Sequence, residues 1–148
     1  MKYWLMKSEP SVYSIDDLKR DKKTSWDGVR NFQARNFLRD AMKVGDEVLF
    51  YHSSAEPSGV AGIARVCKEG YPEPTKEKSL WYRVDVEFVE KCAHFVSLGE
   101  IKAHPKLKGM MVTKRGMRLS IQPVAESHFK LIRRIGECYN SIAKIVNL

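Results

Sequence analysis

The sequence predicts a mixed α+β domain, with a curled sheet or small barrel and helices at its rim. Five or six short strand-like runs and three or four helical segments fit within 148 residues, the length of one ordinary domain. Hydrophobic residues form 43% of the chain and charged residues 30%, as in proteins that bury a core. We assign residues 1–136 to this domain and residues 137–148 to a tail or helix extension.

Strands are predicted by runs rich in β-branched and aromatic residues. The four clearest runs are Tyr3 to Lys7, Glu47 to His52, Val60 to Cys67 and Trp81 to Val89. The third is almost continuously apolar, as expected of a strand buried on both faces. The fourth alternates, and its apolar face carries Tyr82, Val84, Val86 and Phe88. Two late runs, Met110 to Thr113 and Leu119 to Gln122, predict short strands, after which Pro123 breaks the pattern.

Two capping boxes predict the starts of short helices, because a serine at the cap precedes an acidic residue by three positions. These pairs are Ser14 with Asp17 and Ser97 with Glu100. The first helix must be short, since residues 21–25 are charged or polar.

Two longer helices are predicted from apolar residues at helical spacing. The better one runs from Asn31 to Met42, and Gly45 follows it as a natural stop. The other runs from Val124 to Ile135, with Phe129, Ile132 and Ile135 facing inward. The segment from residue 138 to the end could extend this helix or pack separately.

The charge balance points to an anionic partner. The formal net charge is +8, which favours nucleic acid or an anionic surface. No apolar run approaches the roughly 20 residues that cross a bilayer, and the N-terminal apolar stretch is too short for a signal peptide. We expect a cytoplasmic protein, or a nuclear one if the source is eukaryotic, with no membrane partner.

No cofactor or metal is expected. The three cysteines, Cys67, Cys92 and Cys138, are widely spaced and odd in number, and no pair has zinc-ligand spacing. We therefore expect reduced thiols and no disulfide framework. There is no glycine-rich phosphate loop, and the run from Gly59 to Gly62 is interpreted as a strand start with a bulge.

Little in the sequence indicates catalysis. His52 lies beside Ser53 and Ser54, but a base and a nucleophile that are adjacent in an extended chain point to opposite faces. No strand–turn–helix elbow surrounds them. We therefore expect a protein that is not an enzyme.

The segment from Trp26 to Asn31 has the residue types of a binding site for a planar ligand beside a polyanion. Trp26, on a loop before the helix, could stack on a base or simply fill core space. Gly28 would let the backbone approach a ligand closely. Asn31 could contact a base edge or cap the helix. Four cations could contact phosphates or form a solvated helix face: Arg30, Arg35, Arg39 and Lys43.

Two further clusters lie at predicted strand ends. Lys7, Ser8 and Glu9 end the first strand, and the run Tyr51-His52-Ser53 ends another. Strand ends that meet at one rim make a pocket with aromatic walls and polar lips.

These three clusters together resemble the EVE domain family. The matching runs include Tyr3 to Pro10, Trp26 to Asn31 and Gln33 to Arg39, Tyr51 to Ser53, Gly59 to Ala64, Tyr71-Pro72, Val84 to Val86 and Arg118 to Val124. They follow one another in order over residues 3–124. The resemblance therefore covers essentially the whole predicted domain.

The resemblance implies a PUA-like fold, a curled and mostly antiparallel sheet or barrel with helices around it. EVE domains are similar to YTH domains, which hold a methylated adenine in an aromatic cage. The family is regarded as readers of modified bases, with modified cytosine in DNA as the leading ligand. Trp26 matches the cage tryptophan, and Ser8, Asn31 and Ser53 match polar positions, with Tyr51 and His52 beside them.

Three alternatives stay open at this point. The same pocket could serve an RNA-binding module for a modified base. An enzyme could act on a modified base or small metabolite, with His52 as general base. A protein-interaction domain could leave the pocket empty. The resemblance also implies that the segment between Tyr71-Pro72 and Trp81 is shorter here than in related domains. The form of the bound nucleic acid is therefore less determined than the chemistry of the pocket, and the oligomeric state is open.

Overall fold

The computed structural model describes residues 1–75 and 79–139 and confirms the mixed α+β fold. Six strands form one sheet: β1 (Tyr3–Ser8), β2 (Lys23–Trp26), β3 (Glu47–His52), β4 (Gly59–Pro72), β5 (Tyr82–Ser97) and β6 (Ile121–Val124). Four α-helices accompany it: α1 (Ile15–Asp21), α2 (Phe32–Asn36), α3 (Leu98–Ala103) and α4 (Glu126–Ile135). No helix in the described ranges has both the length and the apolar content to cross a membrane.

The sheet is curled and mostly antiparallel, as the family resemblance implies. Its strand order is β2-β5-β4-β3-β1-β6, and β1 with β3 is the parallel pair among these neighbours. The described ladder leaves β2 and β6 as open edges instead of closing into a barrel. The expectation that Pro123 ends the strand pattern is wrong: Pro123 lies within β6, opposite Trp4. An edge strand tolerates proline because it needs partners on only one side.

Strand β2 is absent from the sequence prediction. Lys23–Trp26 pairs antiparallel with β5, so that Trp26 lies opposite Val84. Its first three residues are polar, and an edge strand needs no apolar alternation to be held by its neighbour. Trp26 therefore ends a strand and does not lie on a loop.

The sheet buries a separate cluster of side chains on each face, since residues alternate along a strand. On one face lie Trp4, Met6 and Phe50, covered by α1 and α2. On the other lie Leu5 and Leu49, covered by α3 and α4. The alternation predicted for β5 is confirmed by four residues that bury or pack on the first face: Tyr82, Val84, Val86 and Phe88.

Both capping boxes are confirmed, with Ser14 and Ser97 as caps of α1 and α3. The Asn31 helix is shorter than predicted, because α2 ends at Asn36 and continues as a π-helical turn over Phe37–Ala41. In α4, Phe129 and Ile132 are buried and Ile135 packs beside them, as predicted.

The late strand predictions are partly wrong. Met111–Thr113 forms a 3₁₀ turn instead of a strand, and it buries Val112 in the second cluster. The strand predicted at residues 119–122 begins two residues later, at Ile121. Short apolar runs carry little periodicity, so the length of the connection and its packing decide their structure.

The expectation of reduced thiols is wrong for two of the three cysteines. Cys92 of β5 and Cys138 form a disulfide, whereas Cys67 is free. After α4 the chain turns back at Gly136, whose carbonyl accepts a hydrogen bond from the His94 N–H at 3.0 Å. This return brings Cys138 beside β5 across 46 positions of sequence, a contact that cysteine spacing does not reveal. Residues 137–139 of the predicted tail do not extend α4, which ends at Ile135. Residues 140–148 lie outside the described residues.

Candidate functional site

A cavity of about 410 Å³ lies where β1 and β2 end, and we call it the Trp26 cavity. Trp26 forms part of its wall. The other lining residues are Lys7, Ser8, Glu9, Val12, Tyr13, Thr24, Ser25 and Asp27. Two predicted site residues, Trp26 and Ser8, therefore lie together, although 18 positions separate them in the sequence.

Trp26 belongs both to the core and to the cavity. Only 9% of the residue is exposed, and its ring meets Phe50 edge-to-face with centroids 5.4 Å apart. The interpretation that the indole fills core space is thus confirmed in part, while the interpretation that it stacks on a base stays a prediction, made possible by its place in the cavity wall. Its position is rigid because β2 is hydrogen-bonded to β5 and the ring is packed.

Ser8 holds another part of the cavity wall. Its hydroxyl donates to the Tyr13 carbonyl at 2.6 Å, which fixes the loop after β1. The Tyr13 hydroxyl donates to Asp21 at 2.9 Å, and burial is the largest cause of the raised pKa of Tyr13. The Ser8 oxygen keeps lone pairs that can accept from a ligand.

A second, larger cavity of about 930 Å³ adjoins the first, and we call it the basic cleft. Lys7 and Glu9 line both cavities. Tyr51 and Ser53 line the cleft, so these two predicted residues lie in the neighbouring cavity and not in the Trp26 cavity. Five cations line the cleft: Lys7, Lys102, Lys114, Arg115 and Arg118.

Lys7 stands at the junction of the two cavities. Its ammonium donates to the Met117 carbonyl at 3.3 Å and lies 5.9 Å from the centroid of the Tyr51 ring. Burial lowers the pKa of Lys7 and raises the pKa of Tyr51. An ammonium group has three donors, so Lys7 can bind a ligand while it holds the loop that carries Met117.

Asn31 and His52 line neither cavity. The Asn31 side-chain oxygen accepts from the Ala34 N–H at 3.0 Å, as a helix cap does. The His52 Nε2 accepts from the Ile15 N–H at 3.1 Å, and burial lowers the pKa of this imidazole. The structure therefore shows both side chains holding helix N-termini.

The four cations predicted to contact phosphates each have a partner within the chain. Arg30 pairs with Glu73 at 2.7 Å, Arg39 with Asp40 at 2.8 Å, and Lys43 with Glu69 at 3.7 Å. Arg35 donates to the Leu80 carbonyl at 2.7 Å. None of these four cations lines the Trp26 cavity or the basic cleft.

Arg30 and Arg35 belong to a surface stack of side chains beside the loop after Trp26, and Glu73 anchors that loop. The rings of Phe32 and Trp81 stack with centroids 4.9 Å apart. The Arg30 guanidinium lies over Trp81 and that of Arg35 over Phe32, at 5.1 and 4.9 Å. The Gly28 N–H donates to Glu73 at 2.9 Å. Because Gly28 has φ +76°, the turn needs the conformational freedom of glycine.

Sequence reasoning missed several residues that line the two cavities. In the basic cleft these are mainly the cations of the run from Lys114 to Arg118, which contains three cations around Gly116 and could have been noticed on charge alone. In the Trp26 cavity they are Val12, Tyr13, Thr24 and Ser25. Alternation along β2 could have found Thr24, but β2 itself was not predicted.

Residues 2–135 match the family model described as EVE domain. The chain belongs to the EVE domain family. Thymocyte nuclear protein 1 of Homo sapiens is 39% identical to this EVE domain over 168 aligned positions, covering 91% of the chain and 74% of the relative. The Gallus gallus protein of the same name is 40% identical and is covered over 69% of its length. These relatives confirm the family expected from the motifs.

The human alignment runs over more positions than the 148 residues of this chain, although it includes only 91% of them. The relative therefore carries residues that this EVE domain lacks. The expectation that the difference lies between Tyr71-Pro72 and Trp81 stays a prediction.

Solved structures agree with the family. A protein from Leishmania major superposes with a TM-score of 0.86 at 44% identity, covering 93% of this chain and 95% of its own. Human THYN1 in complex with DNA containing 5-methylcytosine gives 0.82 at 38% identity, with 93% and 98% covered. The Mmi1 YTH domain in complex with RNA gives 0.57 at 10% identity, covering 92% of this chain and 77% of its own, which shows likeness of fold alone.

Proposed function

We propose that this EVE domain is a non-catalytic reader that binds nucleic acid through a modified base, with modified cytosine in DNA as the leading ligand. The observation that carries the proposal is the Trp26 cavity, an indole-walled space that opens directly beside five cations. An aromatic wall suits a base, and the neighbouring cations suit its phosphates. The related human THYN1 structure with DNA containing 5-methylcytosine supports this ligand.

The cavity has the dimensions and groups that a base needs. Its volume of about 410 Å³ lies within the usual range of small-ligand sites, about 300–1,000 Å³. We assign Trp26 and Ser8 to the base itself, and Tyr51 and Ser53 to the adjoining nucleotide. Asn31 and His52 would act indirectly, because they hold the helices that frame the site.

The energetics require contacts beyond the base. Extruding a base from a duplex costs a few kcal/mol, and stacking on an aromatic side chain returns about 1–3 kcal/mol. The two nearly cancel, so phosphate contacts must supply much of the affinity. A pocket that favours the modified base then supplies selectivity.

The proposal of a non-catalytic role is supported by the state of His52. Its Nε2 lone pair is already used by the Ile15 N–H, and its pKa is lowered by burial. A general base needs that lone pair free for the proton it abstracts. We propose that the protein acts where its nucleic acid is found, in the cytoplasm, or in the nucleus if the source is eukaryotic.

The test compares Trp26→Ala with Trp81→Ala, a matched substitution in the surface stack. Anisotropy titrations would use oligonucleotides that differ only in 5-methylcytosine or cytosine, as single- and double-stranded DNA and as RNA. We expect Trp26→Ala to lose discrimination while keeping weak, salt-sensitive binding, and Trp81→Ala to keep discrimination. Trp26→Phe, which retains a ring, separates loss of stacking from loss of folding.

Equal discrimination by Trp26→Ala and the unmodified protein would contradict the proposal. Stronger discrimination on RNA than on DNA would replace the leading ligand with the RNA alternative. A change in the oligonucleotide itself, lost in His52→Ala, would show an enzyme.

A further inference from the structure

The cations of the basic cleft line one cavity without forming ion pairs among the described residues. Within the described ranges, Lys102, Lys114, Arg115 and Arg118 make no ion pair with a carboxylate. Elsewhere Arg20, Arg65 and Lys130 all lie within ion-pair distance of one. In the part of the chain that the structure describes, the cleft is lined by these cations and Lys7 but by a single carboxylate, that of Glu9. Like charges in excess repel one another, so this cluster is more favourable with an anion between its members.

The loop that carries three of these cations is held in place. The Lys7 N–H donates to the Ser120 carbonyl at 2.9 Å, and the Met117 N–H donates to the Lys114 carbonyl at 3.2 Å. Gly116 takes φ +76° at the tip. The cleft is therefore a preformed surface, which reduces the cost of ordering it on binding.

The distribution of charge around the Trp26 cavity is one-sided. On the cleft side it meets Lys7 and Glu9, and beyond them the other four cations of the cleft. On the far side its lining comprises Val12, Tyr13, Thr24, Ser25 and Asp27, none of which is a cation. The nearest described partner of Asp27 is Arg83 at 3.9 Å, which offsets that carboxylate.

We infer that the basic cleft binds the phosphates of the strand on one side only of the recognised base. The inference rests on the proposed function, because it takes the Trp26 cavity as the base site. Lys7 contacts the phosphate at the junction, and Lys114, Arg115 and Arg118 contact those that follow. Nucleotides on the other side of the base make no comparable contacts, so the domain reads the strand with a fixed direction.

The first experiment measures direction. Two series of single-stranded DNA carry one 5-methylcytosine at the 5′ end or at the 3′ end and grow by one nucleotide at a time. We expect the affinity to rise with the first two or three added phosphates in one series and to change little in the other. Equal gains in both series would overturn the inference.

The second experiment removes the cations. Lys114→Gln, Arg115→Gln and Arg118→Gln are combined in one variant. A control combines the same change at Arg20, Arg65 and Lys130, whose carboxylate partners lie elsewhere on the surface. We expect the cleft variant to lower the slope of log K against log salt by about one per residue and to abolish the directional gain. The control should keep both.

The outcomes separate the inference from the proposed function. If the cleft variant keeps slope and direction while the protein still prefers 5-methylcytosine, the inference fails and the reader function stands. Loss of slope on substituting Arg35, Arg39 and Lys43 instead would likewise overturn the inference. If polyglutamate of equal charge competes as well as DNA, the cleft is a general polyanion surface and a nucleic-acid occupant is rejected. If no base preference exists, the reader function fails, and a salt slope carried by the cleft would still show its affinity for anions.

Discussion

The imidazole Nε2 of His52 accepts a hydrogen bond from the backbone N–H of Ile15 at 3.1 Å. Ile15 is the first residue of α1 and is 1% exposed, so this N–H would otherwise be buried without a partner. Accepting at Nε2 places the proton of the neutral ring on Nδ1. The end of β3 and the start of α1, which frame the candidate site, are thus joined through one neutral histidine.

Acid should weaken the fold through His52. Burial is the main cause of its lowered pKa, with Lys91 acting in the same direction and Asp16 opposing. The unfolded chain takes up a proton near pH 6.5, whereas the folded ring resists protonation, so this contribution to stability is complete above pH 6.5 and declines as pH falls below it. Urea unfolding between pH 7.5 and 5 measures the loss.

His52→Gln, which offers a neutral oxygen acceptor, should remove that part of the pH dependence. The carboxylates with lowered pKa, such as Asp17 and Asp21, titrate below the ordinary value near 4. They therefore affect stability in a lower pH range than His52 does. An unchanged pH profile in His52→Gln between pH 7 and 5 would show that the histidine does not control it.

Asp46 should be among the most costly polar residues to remove. Its buried carboxylate accepts from the Trp4 indole N–H at 3.0 Å and from the N–H groups of Lys43 and Lys2 at 3.0 and 3.1 Å. Asp46→Ala leaves three donors without their acceptor, and we expect unfolding free energy to fall by about 3 kcal/mol or more. Asp40→Ala, at an exposed ion pair, should cost well under about 1 kcal/mol. Similar losses for both in chemical denaturation would contradict this.

Glu73 should act on binding by positioning the loop after Trp26. Burial favours a raised pKa at Glu73, but hydrogen bonds from Gly28 and Arg30 outweigh it and lower the pKa. Glu73→Ala frees the turn at Gly28, and we expect weaker binding of modified DNA with an unchanged salt slope. Glu69→Ala, which removes the partner of Lys43, is the matched control and should leave binding intact. A reduced salt slope in Glu73→Ala would show that Arg30 contacts phosphate after all.

The Cys92–Cys138 disulfide should stabilise the end of α4. It closes a loop of 46 positions, for which the chain-entropy relation gives about 4 kcal/mol. Replacing both cysteines by serine should lower unfolding free energy toward that amount and make denaturation insensitive to reductant. Cys67→Ser leaves the disulfide intact and serves as control. Equal stability of the unmodified protein with and without reductant would contradict the prediction.

Local patterns were sufficient where neighbours in sequence make the structure. The capping boxes at Ser14 and Ser97 need only four consecutive residues, and the alternation of β5 shows which side is buried. The motifs likewise brought Trp26 and Ser8 into one predicted pocket, and the structure places them there. The polar strand β2 was not predicted, because its pairing with β5 and not its composition makes it a strand.

The sequence alone determined the fold class, most element starts, the family and the aromatic residue of the candidate site, because these depend on periodicity, caps and motifs that neighbouring residues carry. Only the tertiary structure decided which cations face the site, since Arg30 and Arg35 are held in a surface stack while Lys114 and Arg118 reach Lys7 from more than 100 positions away. It also decided the pairing of Cys92 with Cys138. Such contacts depend on how distant segments pack across the sheet, and the spacing of residues along the chain does not reveal that packing.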